Sequence, residues 1–336
     1  MIDLSVVIVS WNVRDLLQRC LESIHASVAS SSCADPGDPS PKFEIIVVDN
    51  ASDDASVRMV GSRFPDARVV INQTNRGFPA ANNQGITLSR GRYVLLLNPD
   101  TEVMDSALSQ LITFADRHPT VGIVGPQLLN PDGSVQPSIR RFPTLKTAFI
   151  ESTWLQPMVV SLQSKGVARV LSAPIHRMLD RYYMADRSED IVQDVDWITG
   201  AAMFTRREAI DDVGLMDEGF FMYSEELDWC RRFQEEGWRI AYLPGAQIVH
   251  HVGKSSEQVV AARHIHFQTS KVRYFRKYHG IGAAEVLRWR LMAGYLCQLA
   301  LESAKWLLGH RRRLRAQRIA AYRKVLATRL LSRGGG

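Results

Sequence analysis

The sequence predicts an α/β fold, with a mostly parallel central sheet flanked by helices and a helical extension at the C-terminus. Three observations carry this. Leu4–Ser10, Glu44–Val48 and Arg92–Leu97 are continuous Val/Ile/Leu-rich runs, as expected of strands covered on both faces. Helix-period segments lie between them, which makes the strand pairing parallel. Each run stops at a polar cluster (Ser10-Trp11-Asn12, Asp49-Asn50-Ala51-Ser52 and Asn98-Pro99-Asp100), and ligands of parallel sheets collect at such strand ends.

The elements follow in order. Leu16, Leu17, Cys20, Leu21 and Ile24 recur at helical spacing and predict a helix over 13–28. The Ser-, Pro-, Asp- and Gly-rich stretch 29–42 reads as a surface loop. A short helix over 53–63, a strand over 68–72 and a helix over 80–90 lead into the strand 93–97. A helix over 105–118 and a strand over 122–127 end at Asn130-Pro131-Asp132-Gly133, a strong turn signal. Residues 144–190 read as a mobile insertion on the acceptor or membrane side, apolar and basic with no acid between Glu151 and Asp180. A strand pattern returns over 194–204. A helix spans 224–236 with Ser224 as its N-cap, and short strands follow at 240–243 and 247–250. From Gln258 onward the chain reads as helices. The expected division is therefore a domain over 1–257 and a helical region over 258–336.

The chain has 336 residues, 46% of them hydrophobic, which suffices for one large domain plus an appendage. No window reaches 18 consecutive apolar residues, so no spanning helix is expected. The N-terminus lacks a basic n-region and runs straight into a strand. Cys20, Cys33, Cys230 and Cys297 form no CxxC pair and read as reduced thiols of a cytosolic protein. Ten of the 41 Lys and Arg residues fall between Ser303 and Gly336, where there is no acid; the remainder has 31 basic against 35 acidic residues. The basicity belongs to the tail. That argues against a nucleic-acid-binding core and for a local anionic partner.

The strand-end clusters carry the chemistry. A carboxylate just past a buried strand, as Asp100 is, reaches a divalent metal on a diphosphate, since Mg2+ or Mn2+ needs only one or two protein carboxylates there. An acid at the end of a second strand, as Asp49 is, suits a nucleoside hydroxyl or ring N–H. Taken singly, both clusters fit turns or helix caps better than a ligand site. Asn75-Arg76-Gly77-Phe78 with Asn82-Asn83-Gln84-Gly85 has glycine where backbone must come close to something. In Glu225-Glu226-Leu227-Asp228-Trp229-Cys230-Arg231-Arg232, Asp228 has Arg231 and Arg232 at i+3 and i+4, which favours an ion pair. Glu226 heads an apolar stripe of Trp229, Cys230 and Phe233, a setting suited to accepting a proton. In His250-His251-Val252-Gly253-Lys254-Ser255 a histidine suits a metal and Lys254 a phosphate.

Taken together, SWN, VVDNAS, NRGFPAANNQG, LLLNPD, ITGAAMF, GFFMYSEELDWCRR and HHVGKS occur in one order over residues 4–255. That succession resembles the family 2 inverting glycosyltransferases of the GT-A nucleotide-sugar-binding fold, and most closely their bacterial rhamnosyltransferase-like branch. The resemblance implies that Ser10, Asn12 and Asp49 hold the donor nucleoside. It implies that Asn75, Gly77 and Asn83 shape the diphosphate pocket, with Asn98 and Lys254 also on the donor side. Thr199, Gly200 and Ala201 would line the acceptor side. Asp100 and His250 would be ligands of Mg2+ or Mn2+, and Glu226 the catalytic base. Two departures stand out: Asn98 takes the first position of the metal motif where Asp is usual, and the acidic pair is Glu-Glu. Glu225 and Asp228 therefore remain alternative bases.

The expected activity is inverting transfer of a sugar from a nucleotide-diphosphate donor, with dTDP-L-rhamnose favoured, to a hydroxyl of a lipid-linked or cell-envelope glycan. The alternatives are a catalytically inactive membrane-associated homologue or a nucleotidyltransferase. Near the C-terminus Tyr322, Val325, Leu326 and Leu330 fall on one helical face and arginines fill much of the other. A basic amphipathic helix of this kind reads as binding an anionic membrane surface. The expected location is thus cytoplasmic, peripheral on the inner face of the plasma membrane.

Overall fold

The structure, a computed structural model, describes residues 2–31, 41–151, 173–251 and 260–331. The chain forms two compact units. The first comprises Met1–Phe142, Asp186–Phe221 and Glu225–Ser255; the second comprises Pro143–Ala185, Met222–Ser224 and Ser256–Gly336.

The first unit is built on alternating strands and helices. They are β1 (Leu4–Ser10), α1 (Arg14–Ser31), β2 (Phe43–Asp49), α2 (Ser56–Arg63), β3 (Arg68–Ile71), α3 (Phe78–Leu88), β4 (Tyr93–Leu97), β5 (Thr101–Val103), α4 (Ala107–Arg117) and β6 (Val121–Leu129). Two short strands follow, β7 (Val135–Gln136) and β8 (Ile139–Arg140). In the second unit come α5 (Leu145–Glu151) and α6 (Ala173–Tyr182). The first unit resumes with β9 (Gln193–Asp194), β10 (Trp197–Ile198), β11 (Ala202–Arg206), α7 (Arg207–Val213), α8 (Glu225–Glu235) and β12 (Arg239–His250).

The main sheet runs β3-β2-β1-β4-β11-β6-β12-β5, with β7 added to β6 and β9 to β12. The pairings β1–β2, β1–β4, β2–β3 and β6–β12 are parallel, as the apolar runs predict. β11 enters antiparallel between β4 and β6. The strand order reverses direction between β1 and β4, so the crevice at the carboxyl ends of β1, β2 and β4 is where a ligand is expected.

Side-chain alternation splits the core. Leu4, Val6 and Ile8 of β1 join Leu17, Leu21 and Ile24 of α1 on one face, and Val9 joins Ile46, Val48 and Ala81 on the other. Each such fully buried aliphatic side chain stabilises the fold by about 1.5–3 kcal/mol. Gly85 of α3 lies against Val7, where an added Cβ would stand 2.2 Å from Cγ1, so the helix sits close on the sheet.

Three expectations change. The strand pattern over 194–204 is broken, because β10 pairs with β8 in a separate two-stranded sheet while β11 joins the main sheet. The chain switches sheets at Thr199-Gly200-Ala201. The two short strands expected at 240–250 are one strand, β12, whose register against β6 shifts between Leu243 and Gln247, around Pro244 and Gly245. Ser224 has φ 66°, left-handed backbone rather than the extended backbone of an N-cap.

The second unit is dominated by α9 (Val260–Leu307), kinked at Gly280 where φ is 83°, and α10 (Arg312–Ala327). Among the described residues no helix is long and apolar enough to cross a membrane. The apolar side of α10 and the residues after it was expected to face lipid. Instead Val325 and Leu330 are fully buried and Tyr322 lies 5.7 Å, ring to ring, from Tyr295 of α9. Arg315 of α10 pairs with the buried Glu302 of α9 at 2.7 Å. This helix closes a hairpin with α9. The central part of the insertion expected over 144–190 (residues 152–172) lies outside the described residues.

Candidate active site

The carboxyl ends of β1 and β2 bring Ser10 and Asp49 into register as neighbours. Both are buried, and Ser10 Oγ and Asp49 Oδ1 have no hydrogen-bond partner. Buried polar atoms are normally satisfied, so a hydroxyl and a carboxylate oxygen both left open at neighbouring strand ends are available to a ligand. The other oxygen of Asp49 accepts from the Ser52 amide at 3.0 Å. Asn12, in left-handed backbone, accepts from the Asp53 amide at 2.8 Å, and its own amide donates to Ser52 Oγ at 3.0 Å. Asn12 and Asp49 thus fix the same turn.

Asn50 is the hub beside this turn. Its Nδ2 donates to Asn75 Oδ1 at 2.9 Å, and its Oδ1 accepts from the Arg76 amide and from Asn72 Nδ2. Asn72 and Gln84 exchange reciprocal amide bonds at 2.9 and 3.0 Å. Sequence reasoning missed this Asn50–Asn72–Gln84 network; its only signal was the density of amide side chains at the strand ends.

Gly77 and Asn83 have a different neighbour from the one expected. Gly77 has φ 86°, and an added Cβ would lie 2.6 Å from the carbonyl oxygen of Phe221. The Phe78 amide donates to that same carbonyl at 2.8 Å. Asn83 donates to Met216 O and to Glu218, and accepts from the Met216 amide at 3.0 Å. Both residues hold the Met216–Phe221 segment.

Asp100 follows β4 by three residues and is buried. His250 ends β12 opposite Thr101, and its Nε2 stands 3.4 Å from Asp100 Oδ1. Its Nδ1 faces Gln136 Oε1 at 2.8 Å. The Gln136 amide donates to Asn130 Oδ1 at 3.1 Å, which orients the Gln136 oxygen toward the imidazole. With Nδ1–H donating to that oxygen, the Nε2 lone pair points at a carboxylate. Two acceptors this close call for a proton or a cation, and an imidazole oriented from behind in this way is the usual setting of a metal ligand. Among the described residues no cluster of three or more His, Cys, Asp or Glu side chains is gathered for a metal. One carboxylate and one imidazole fit an ion whose other ligands come from phosphates. His251 instead contacts Glu102 at 2.7 Å, and Lys254 lies outside the described residues.

Asn98 and the sheet-switching turn connect this corner to the acids of α8. The Asn98 amide donates to Ala201 O at 2.9 Å, and the Thr199 amide to Ser138 O. Thr199 Oγ1 is buried without a partner. A Cβ on Gly200 would stand 3.5 Å from Cβ and 3.9 Å from Cδ of Glu226, so the glutamate lies along the turn. The path Asp100–Asn98–Ala201–Gly200–Glu226 is continuous and stays at one end of the sheet.

The three acids of α8 differ. Glu226 is half-buried above Trp229, Cys230 and Phe233, all fully buried. Glu225 is buried; this burial, and behind it the charge of Glu226, pushes its carboxyl well above the usual carboxylate range. Asp228 is fully buried and pairs with Arg232 at 3.1 Å; Arg232 also donates to the carbonyls of Val213 and Leu215. So enclosed and paired, the Asp228 carboxylate is in the ion pair that its spacing predicts.

A mostly parallel sheet that gathers Ser10, Asp49, Asp100, His250 and Glu226 at one end has the architecture of the GT-A nucleotide-sugar-binding fold. Residues 5–214 match the family described as Glycosyl transferase family 2, and the chain belongs to that family: it is a glycosyltransferase. It is 26% identical over 329 residues to the N-acetylglucosaminyl-diphospho-decaprenol L-rhamnosyltransferase of Mycobacterium tuberculosis, covering 94% of this chain and 96% of that protein. To the rhamnosyltransferase WbbL of Escherichia coli it is 22% identical, over 73% of this chain and 82% of that one. Among solved structures, a mannosyltransferase from Pyrobaculum calidifontis, in complex with GDP-Man and Mn2+, shares the fold. Its TM-score is 0.54 at 16% identity, over 98% of this chain and 88% of that one.

Proposed function

We propose that the chain transfers L-rhamnose from dTDP-L-rhamnose, with inversion, to a hydroxyl of a lipid-linked or cell-envelope glycan, working against an anionic membrane surface. The names of the rhamnosyltransferase relatives support the sugar and the lipid-diphosphate acceptor. The observation that carries the reading is the unbroken path from Asp100 through Asn98, Ala201 and Gly200 to Glu226.

In this reading Ser10 and Asp49 receive donor groups of the nucleoside through their orphaned oxygens, and Asn12 keeps the turn that supports them. Asn75, through Asn50, together with Gly77 and Asn83, fixes the walls of the diphosphate pocket. Asp100 and His250 hold Mn2+ or Mg2+, with Asn98 alongside; when bound, the ion neutralises the charge that builds on the departing diphosphate. Gly200 leaves room for Glu226, and Thr199 and Ala201 flank it on the acceptor side. Glu226 takes the proton of the acceptor hydroxyl as the oxygen attacks the anomeric carbon from the face opposite the diphosphate. The bond to the diphosphate breaks as the new glycosidic bond forms. Glu225, whose carboxyl is raised by burial and by the neighbouring Glu226, is the poorer candidate for the base.

A panel of nucleotide sugars, screened by thermal shift with and without Mn2+ or Mg2+, reads the donor, since a ligand that binds the folded state raises the melting temperature. The expected result is a metal-dependent shift largest for dTDP-L-rhamnose, abolished in Asp100→Ala. Glu226→Gln should keep that shift and lose roughly 10²-fold or more in turnover. Near-wild-type turnover in Glu226→Gln, or a donor shift in Asp100→Ala that still responds to metal, would overturn the corresponding assignment.

A further inference from the structure

Beyond the kink at Gly280, α9 carries two apolar stripes on opposite sides. Ala284, Leu287, Leu291 and Tyr295 are buried and line the side that packs with α10. At ~100° per residue, Val286, Trp289, Leu296, Leu307 and Leu308 fall on the other side. These are open: Trp289 is 62% exposed, Leu296 56% and Leu308 84%. Ala293, Ala300 and Ala304 fill the positions between them and are exposed too. The outward stripe runs about 33 Å along the helix. A monomer rarely leaves so long an apolar strip to water without a partner.

The surrounding charge says what that partner is. From Val286 to Leu331 there are eleven Lys and Arg residues and one acid, Glu302. That acid is buried under Arg315, and Glu285, half-open just before this stretch, is paired with Arg288 at 2.6 Å, so the open unpaired charges along it are cations. Arg290 borders the stripe, and Arg311, Arg312 and Arg313 crowd the turn at its end. Arg288 stacks on Trp289 at 4.6 Å from the ring centre but is buried and paired with Glu285, so the open cations at the rim are Arg290 and the three arginines of the turn. An apolar face with aromatics, rimmed by uncompensated cations, is complementary to anionic lipid, with head groups on the arginines and acyl chains under the stripe. A second copy of the chain would bring a second set of uncompensated cations to the same contact, which opposes self-association.

We propose that this outward stripe of α9, and not the apolar side of α10, is the surface that lies on an anionic membrane. The inference rests on the membrane partner proposed above and names where it is met. Removing the chain after Ser303 would take away cations and the cover of α9's inner side, but would leave Val286, Trp289 and Leu296 of the stripe.

The test uses the full chain and vesicles of phosphatidylcholine with or without phosphatidylglycerol. Wild type is expected to sediment with the phosphatidylglycerol vesicles only. Trp289→Glu/Leu296→Glu, at two exposed positions, should need roughly tenfold more lipid or greater for half-binding, because two apolar anchors are lost and two like charges added. Its melting temperature and its sugar transfer to a soluble acceptor should stay unchanged. Cys297, exposed on the same side, gives a second readout: with Cys33 replaced by Ser, an environment-sensitive dye on it should shift to an apolar signal on phosphatidylglycerol vesicles. Undiminished vesicle binding by the double variant, or an unshifted dye in a vesicle-bound protein, overturns the assignment. So does a wild-type dimer that ignores vesicles and becomes a monomer in the variant. The two readings separate: vesicle binding without transfer removes the function and keeps this face, whereas transfer without vesicle binding removes the face alone.

Discussion

Glu225, Glu226 and Asp228 share one turn of a helix, yet their surroundings give them three chemistries. Asp228 is enclosed with Arg232, Glu225 is buried beside another acid, and Glu226 lies half-open along Gly200. Their spacing made the Asp228 ion pair legible in the sequence, because i+3 and i+4 partners are fixed by helix geometry. The split between Glu225 and Glu226 was not legible, because desolvation comes from residues distant in the chain. It makes a prediction. The carboxyl of Glu225 is raised above its ordinary 4.5 in the folded protein, so the folded state binds more protons than the unfolded one above that pH. Its contribution is fully favourable below the unfolded value and is lost as the pH rises through the folded value. Glu225→Gln removes this loss. The variant's melting temperature should match wild type near pH 4.5 and gain on it as the pH rises, while turnover stays within about tenfold of wild type. A melting-temperature difference that does not change with pH would refute the raised carboxyl of Glu225.

Elements depend on where chains approach. The α3 N-terminus is held by the Phe221 carbonyl, which sits where a Gly77 side chain would begin. Gly77→Ala meets both a left-handed φ and a clash, so it should destabilise by about 2 kcal/mol or more and lower donor affinity through the displaced Met216–Phe221 segment. Gly61, inside α2 with nothing within 4 Å of its added Cβ, is the control: Gly61→Ala should stabilise by roughly 0.5–1 kcal/mol. Equal melting temperatures for the two variants, measured by calorimetry, would contradict this account. The sequence signalled that Gly77 meets something close; it did not say that the neighbour is protein backbone more than a hundred residues on.

At the scale of the whole molecule, the C-terminal unit hangs on the pair between Glu302 and Arg315. Burial of Glu302 works to raise its carboxyl, but the hydrogen bond from Arg315 and the charges of Arg315, Arg318 and Lys305 outweigh it, and the group is held below its ordinary 4.5. A depressed value means stability present above the unfolded value and lost as the pH falls through the folded one. Glu302→Gln leaves Arg315 buried without its counter-charge and should cost about 3 kcal/mol or more. Amide hydrogen exchange should report this as faster exchange across α9 and α10 at pH 7. Unchanged protection there would show that the pair does not hold the hairpin.

The parallel core, the strand ends and the family were written in the sequence, because buried strands need unbroken apolar runs and ligand-bearing turns need residues that make turns. Ser10, Asp49, Asp100 and Glu226 were found as members of such clusters. Only the tertiary structure decided what those clusters meet. It put Ala201 beside Asn98, set the ring of His250 between Asp100 and Gln136, and gave Gly77 and Asn83 to the Met216–Phe221 segment. It also turned the apolar side of α10 and one of the two apolar sides of α9 inward and left the other side of α9 outward, a choice the two helices leave open until they pack. The physical reason is the same throughout: periodicity records which residues avoid water, and packing decides which neighbour replaces it.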